Sequence, residues 1–82
     1  MPAARSPADI LVLAVYTLAG GRILRGFMVD TVAQRLGIDY DRAEAMADAA
    51  DKAGWVKHHP PGVVTLTAEG QARGARLEPP KN

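Results

Sequence analysis

The segment Gly54–Gly70, GWVKHHPPGVVTLTAEG, decides the fold of this 82-residue chain. Two apolar runs, 55–59 and 63–67, flank the tip Pro60-Pro61-Gly62, whose prolines and glycine favour a turn. The second run alternates apolar and polar residues, as a half-buried strand does. Thr67 then stands where a hydroxyl can cap a following helix. The segment therefore predicts a β-hairpin that leads directly into a helix, over about residues 68–77.

A first helix is predicted near the N-terminus. Ser6 can cap it, Pro7 suits its first turn, and it ends at about Ala19, before Gly20-Gly21. Its run ILVLAVYTLA has the outline of a secretory signal, but Asp9 at the edge argues against that. The run is also too short for a bilayer, which needs about twenty residues, so no membrane partner is expected. Because the helix is apolar around most of its circumference, we expect it to be buried on two sides, one of them by a partner subunit.

Two more helices are predicted between this helix and the hairpin. Val29, Val32, Ala33 and Leu36 form an apolar stripe that indicates a helix over about 29–36, and Gly37 suits its left-handed end. Asp39 can cap the next helix, over about 40–53. The link at residues 22–27 is expected to be extended, with one or two strand pairings at Ile23 and Leu24.

The charge is uneven, although the formal total is only +1. Residues 1–27 and 54–82 each carry +2, whereas residues 28–53 carry −3. The total alone does not indicate a polyanion partner, but the basic ends could supply phosphate contacts. The chain contains no cysteine, which excludes a disulfide framework or a thiolate zinc site and fits a cytoplasmic protein.

This order of elements resembles a winged helix-turn-helix domain of the MarR-like and PadR-like bacterial regulators. The piece VAQRLGI, 32–38, is similar to the first helix and turn of the motif, and DYDRAEAMADAADKAGWV, 39–56, to the recognition helix and first wing strand. The piece GVVTLTAEGQA, 62–72, is similar to the second wing strand and the Leu-Thr-x-x-Gly start of the next helix. The resemblance covers about residues 8–77.

The resemblance implies one α+β domain over residues 1–82, with flexible tails at 1–6 and 78–82. It would have a three-helix core, a two-stranded wing and a C-terminal helix, and would serve a dimeric transcriptional regulator that binds double-stranded DNA. In this fold the third helix enters the major groove and the wing lies along the backbone. The implied DNA contacts are Tyr40, Arg42 and Ala45 on the third helix, Lys57, His58 and His59 in the wing, and Arg22, Arg25 and Arg35 before and in the second helix. The implied homodimer contacts, on the first and last helices, are Leu11, Leu13, Val15, Leu18 and Leu77.

The third helix keeps a second interpretation open. Residues 39–52 carry five acids against Arg42 and Lys52, a net charge of −3 on the segment that would face a polyanion. Carboxylates accept from cytosine in only a minority of base contacts. The alternative is therefore a winged-helix protein-interaction module that presents its acidic third helix to a protein partner.

The residues give little support to an enzyme. The only serine, Ser6, is already assigned to a helix cap. His58 and His59 are adjacent, and neighbouring side chains on a strand point to opposite faces, which disfavours a shared metal. GGRILRG lacks the Gly-Lys-Ser/Thr ending of a phosphate-binding loop. We expect no catalytic residue, no metal and no cofactor.

Overall fold

The computed structural model describes residues 5–23, 25–59 and 62–78. In chain order, its elements are α1 (Pro7–Ala19), β1 (Gly26–Met28), α2 (Val29–Leu36), α3 (Tyr40–Lys52), β2 (Val56–His59), β3 (Val63–Leu66) and α4 (Ala68–Leu77). The predicted helices and the two hairpin strands agree with these bounds to within one residue.

The helix ends are where the capping residues placed them. Ser6 Oγ accepts from the amide of Asp9 at 3.1 Å, and Asp39 Oδ1 accepts from the amide of Arg42 at 2.8 Å. After α2, Gly37 has a φ of +69° and the amide of Ile38 donates back to the carbonyl of Ala33 at 3.1 Å. Glycine adopts this left-handed conformation readily, because it has no β-carbon. The turn leaves only three residues between α2 and α3.

β2 and β3 pair as the predicted hairpin, and a third strand, β1, joins them in the sheet. β1 pairs antiparallel with β3, in the order β1-β3-β2, and Phe27 lies opposite Val64. Packing of the Phe27 side chain against the core draws this segment onto the sheet. The expected pairing at Ile23 was wrong, because Ile23 lies outside the strands and is exposed. Leu24, the other residue expected to pair, is outside the described residues.

The core lies between the helices and one face of the sheet. Val56, Val64 and Leu66 point from the hairpin into it, while Lys57, His59 and Val63 lie on the opposite, solvent face. Alanines keep α3 close to its neighbours, because their side chains are small. The buried apolar residues are Leu11, Val12, Ala14, Val15, Ala19, Val29, Val32, Ala33, Ala43, Met46, Ala47, Ala50, Val56, Val64 and Leu66.

Helix α4 covers the side of α1 that was expected to face a partner subunit. It approaches α1 closely at the buried Gly74 and approaches Trp55 closely at the buried Gly70. A β-carbon at Gly70 would overlap the carbonyl of Trp55, and one at Gly74 would lie 2.5 Å from Cγ of Tyr16. The burial of α1 on two sides is thus largely achieved within the chain.

Some residues of the predicted flexible tails are held by contacts. Arg5 Nη2 donates to the carbonyl of Leu77 at 2.9 Å, and the amide of Glu78 donates to the carbonyl of Gly74 at 2.9 Å. The tips of both tails, 1–4 and 79–82, and the prolines at 60 and 61 lie outside the described residues. Within the described part of the chain, none of the helices combines the length and apolar character needed to cross a membrane.

Candidate nucleic-acid interface

Helix α3 has one face in the core and another in solvent. Ala43, Met46, Ala47 and Ala50 are buried, so the 3.6-residue period turns Ala45 outward. Arg42 and Ala45 are both exposed in the first half of the helix. This half of α3 therefore presents a small side chain next to a guanidinium, which leaves room for close approach by a ligand.

Tyr40 connects the start of α3 to the hairpin tip. Its side chain is 40% exposed, and its hydroxyl lies against Gly62, where a β-carbon would come within 2.5 Å of the oxygen. Gly62 has a φ of +86°, and its carbonyl accepts from the amide of Val29 at 2.7 Å. Burial, and then the charges of Glu44, Asp30 and Asp41, raise the pKa of Tyr40. The phenol therefore stays protonated, and part of its surface is covered by the contact with Gly62.

The three basic residues of β2 do not share one face. Lys57 and His59 are exposed on the solvent face of the sheet, opposite Thr65 and Val63 of β3. The His58 side chain is only 5% exposed and turns inward against α3. In this position the His58 ring is not accessible to a phosphate. Of the three predicted wing contacts, Lys57 and His59 remain exposed.

His58 forms a cluster with three acids of α3, which we call the His58 cluster: His58, Glu44, Asp48 and Asp51. Nδ1 lies 2.7 Å from Asp48 Oδ1, Nε2 lies 2.9 Å from Glu44 Oε2, and the His58 amide donates to Asp51 Oδ2 at 2.7 Å. Only part of this arrangement was predictable from the sequence. Glu44, Asp48 and Asp51 do follow the spacing of one helix face, but His58 reaches them from another element.

The His58 cluster accounts for most of the acidic residues of the third helix. Asp39 is used as the cap, and three further acids contact His58, which leaves Asp41 as the fifth. Glu44 and Asp48 contact opposite ring nitrogens of His58, so the groups do not converge on a single point as metal ligands do. Glu44, Asp48 and Asp51 thus contact β2, whereas Asp41 is exposed beside Arg42 and Asp48 stays 66% exposed.

The three arginines predicted at the backbone edge lie in different settings. All three are exposed. Arg22 and Arg25 belong to the link between α1 and β1, where the Arg25 guanidinium lies 5.9 Å from the ring centroid of Phe27. Arg35 instead borders a groove of about 270 Å³ along α1.

Two of the five predicted dimer contacts are unavailable to a partner. Leu11 and Val15 have no exposed area and belong to the core, because α3 and α4 cover those sides of α1. Leu18 and Leu77 are half-buried and pack against the same core. Leu13 faces outward in the groove along α1, whose lining is Arg5, Ile10, Leu13, Ala14, Thr17, Arg35 and Leu36.

Comparison with known proteins supports the architecture. No family model and no curated protein matches the chain significantly. Among solved structures, the YusO protein from Bacillus subtilis is similar, with a TM-score of 0.64 and 22% identity over 85% of this chain and 50% of YusO. The fold is winged-helix-like. At this identity the likeness concerns the fold alone, and the chain spans about half the length of YusO.

Proposed function

We propose that this protein binds double-stranded DNA, as a small dimeric transcriptional regulator of the bacterial type and not as an enzyme. One observation carries the proposal. The exposed first half of α3, with Arg42 and Ala45, is joined through the Tyr40–Gly62 contact to a hairpin that presents Lys57 and His59. A helix beside a basic hairpin is the combination with which winged helices contact a major groove and its adjoining backbone.

The direction of the acidic side chains supports DNA over a basic protein partner. Free carboxylates on α3 would repel a polyanion, but those of Glu44, Asp48 and Asp51 each accept a contact from His58 of β2, which offsets part of their charge. A protonated His58 also reduces the net charge of the α3 region from −3 to −2. The part of α3 that projects outward carries Arg42, the strongest donor available for a guanine.

Each part of the surface has an expected role. Arg42 would donate to base edges, and the small side chain of Ala45 would allow α3 to approach the bases. Lys57 and His59 would contact phosphates, which position a protein without specifying sequence. The exposed Arg22 and Arg25 could extend these phosphate contacts along the link before β1.

We further propose that two copies associate through the exposed apolar strip of α1. Ile10 is 38% exposed and lines the groove with Leu13 and Leu36, outside the surfaces that α3 and α4 cover. An exposed apolar strip favours association, since burial of apolar surface is favourable. Pairing would double the basic hairpins available to one duplex.

The proposal is tested by fluorescence anisotropy of a labelled random duplex of about 25 base pairs, titrated with protein at low and moderate salt. We expect binding that weakens steeply with salt, with a slope that counts the neutralised phosphates. Absence of binding at low salt would reject the DNA function and favour the protein-interaction module. Heparin, an unrelated acidic polymer, should compete with the duplex for the basic side chains, because phosphate contacts depend on charge and not on base sequence.

A further inference from the structure

The ring of His58 lies between two carboxylates that belong to another element. Nδ1 faces Asp48 at 2.7 Å and Nε2 faces Glu44 at 2.9 Å. The side chain of His58 is 5% exposed, that of Glu44 27% and that of Asp48 66%. The contacts therefore cross from β2 to α3 at a point that is closed to solvent on the histidine side.

With both carboxylates ionised, this geometry requires a protonated ring. A neutral imidazole has one N–H donor and one lone pair, whereas an imidazolium donates from both nitrogens. A carboxylate is an acceptor only, so a neutral ring would place a lone pair against the oxygen of Glu44 or Asp48. When the ring loses this proton, one of the two contacts loses its hydrogen bond, and its nitrogen and oxygen atoms move apart.

The other side chains around His58 place no positive charge against its ring. On α3, Glu44 and Asp48 face the ring, and Asp51 accepts from the backbone amide. On β3, the residue opposite His58 is the uncharged Val64. On β2 itself, Lys57 and His59 alternate to the other face of the sheet. Burial lowers the pKa of His58, but the hydrogen bonds and charges of Asp48 and Glu44 outweigh it and raise the pKa above the ordinary 6.5.

We propose that His58 is a positioning residue, whose charged ring fixes β2, and with it Lys57 and His59, relative to α3, and that this fixation weakens when the ring deprotonates. The consequence for DNA rests on the function proposed above. Deprotonation would loosen the phosphate-contacting strand and would leave the charges of Glu44 and Asp48 uncompensated on α3, the helix that approaches the DNA. Both effects lower affinity as the pH rises.

The test uses a chain in which His58 is the only histidine. The sequence holds two, so His59→Gln provides this background, and His58→Gln in the same background is the matched comparison. The ring proton signals of His58 and the backbone amide signals of β2 are followed by NMR from about pH 5.5 to 9, a range that brackets an ordinary histidine. A third variant, Glu44→Gln with Asp48→Asn, removes the two acceptors' charges.

We expect the His58 ring in His59→Gln to titrate above 6.5, with the β2 amides shifting at the same pH, and to titrate lower when both acids are neutralised. DNA affinity of His59→Gln should fall across that transition, because the strand that carries Lys57 loses its fixed position. The His58→Gln chain should bind weakly at every pH. A ring that titrates at or below 6.5, or β2 amides that do not follow it, would overturn the proposal. If no variant binds DNA, the proposed function fails while the NMR transition still decides the positioning role.

Discussion

The ring of Tyr16 occupies the space into which a β-carbon at Gly74 would project, at 2.5 Å from the ring carbon Cγ. α1 and α4 are therefore packed as closely as a glycine permits. Glycine in a helix is ordinarily a disadvantage, because alanine in its place stabilises an exposed helix by about 0.5–1 kcal/mol. At this position the sign reverses.

Gly74→Ala is expected to destabilise the protein by about 1–3 kcal/mol, the usual effect of overpacking a core. Denaturant unfolding measures the change. Glu69→Ala, at an exposed position of the same helix, should change stability by less than about 0.5 kcal/mol. A Gly74→Ala chain at least as stable as the wild type would show that Tyr16 can move aside and that the α1–α4 contact is loose.

The ion pair between Asp9 and Arg73 predicts sensitivity to acid. Arg73 Nε donates to Asp9 Oδ1 at 2.9 Å, while its guanidinium lies 4.8 Å from the ring centroid of Trp55. The hydrogen bond from Arg73 lowers the pKa of Asp9, although burial opposes it. Because the folded pKa lies below the ordinary 3.8, this contribution is present above pH 3.8 and is lost as the pH falls through the folded value.

Asp9→Asn is expected to lower the free energy of unfolding at neutral pH by about 1–2 kcal/mol, since a hydrogen bond to a charged partner is removed. The difference from wild type should shrink as the pH falls, because the wild-type carboxylate then becomes neutral too. Asp30→Asn, at an exposed acid in the first turn of α2, is the control. A difference that stays constant down to acid pH would contradict the ion-pair account.

The orientation of α1 separates two leucines that were both predicted to contact a partner subunit. Leu13→Asp is expected to leave the chain folded and, in sedimentation experiments, to convert self-associated protein to monomer. Leu11→Asp should unfold it, because Leu11 has no exposed area and an isolated charge there is costly. A folded Leu13→Asp chain with the same oligomeric state as wild type would remove α1 as the association surface.

Local chemistry made the helices predictable, whereas the candidate site depends on distant contacts. The caps Ser6, Asp39 and Thr67 and the turn at Gly37 act within a few residues, so the sequence places them well. β1 has only three residues, too few for an alternating pattern, and its pairing depends on β3, which lies more than thirty residues later. His58 meets Glu44 and Asp48 across 14 and 10 residues of sequence, and neither separation carries a helical or strand signature.

The packing of α1 also depends on contacts between residues that are distant in sequence. The apolar circumference of α1 suggested that a partner subunit covers its second side, but α4 packs there, closest at Gly74. Which apolar surface a small chain covers by itself depends on helix spacing, and that spacing follows from glycines whose role appears only in three dimensions.

The most direct test of the central claim compares the salt dependence of duplex binding among charge-matched variants. Arg42→Ala and Lys57→Ala each remove one proposed contact, while Arg76→Ala removes the same charge from α4, beside Trp55 and Glu69. If α3 and the hairpin bind DNA, Lys57→Ala should reduce the salt slope by about one and Arg42→Ala should weaken binding by about 1–3 kcal/mol, with Arg76→Ala close to wild type. Equal behaviour of all three variants, or no binding by the wild type, would contradict the account.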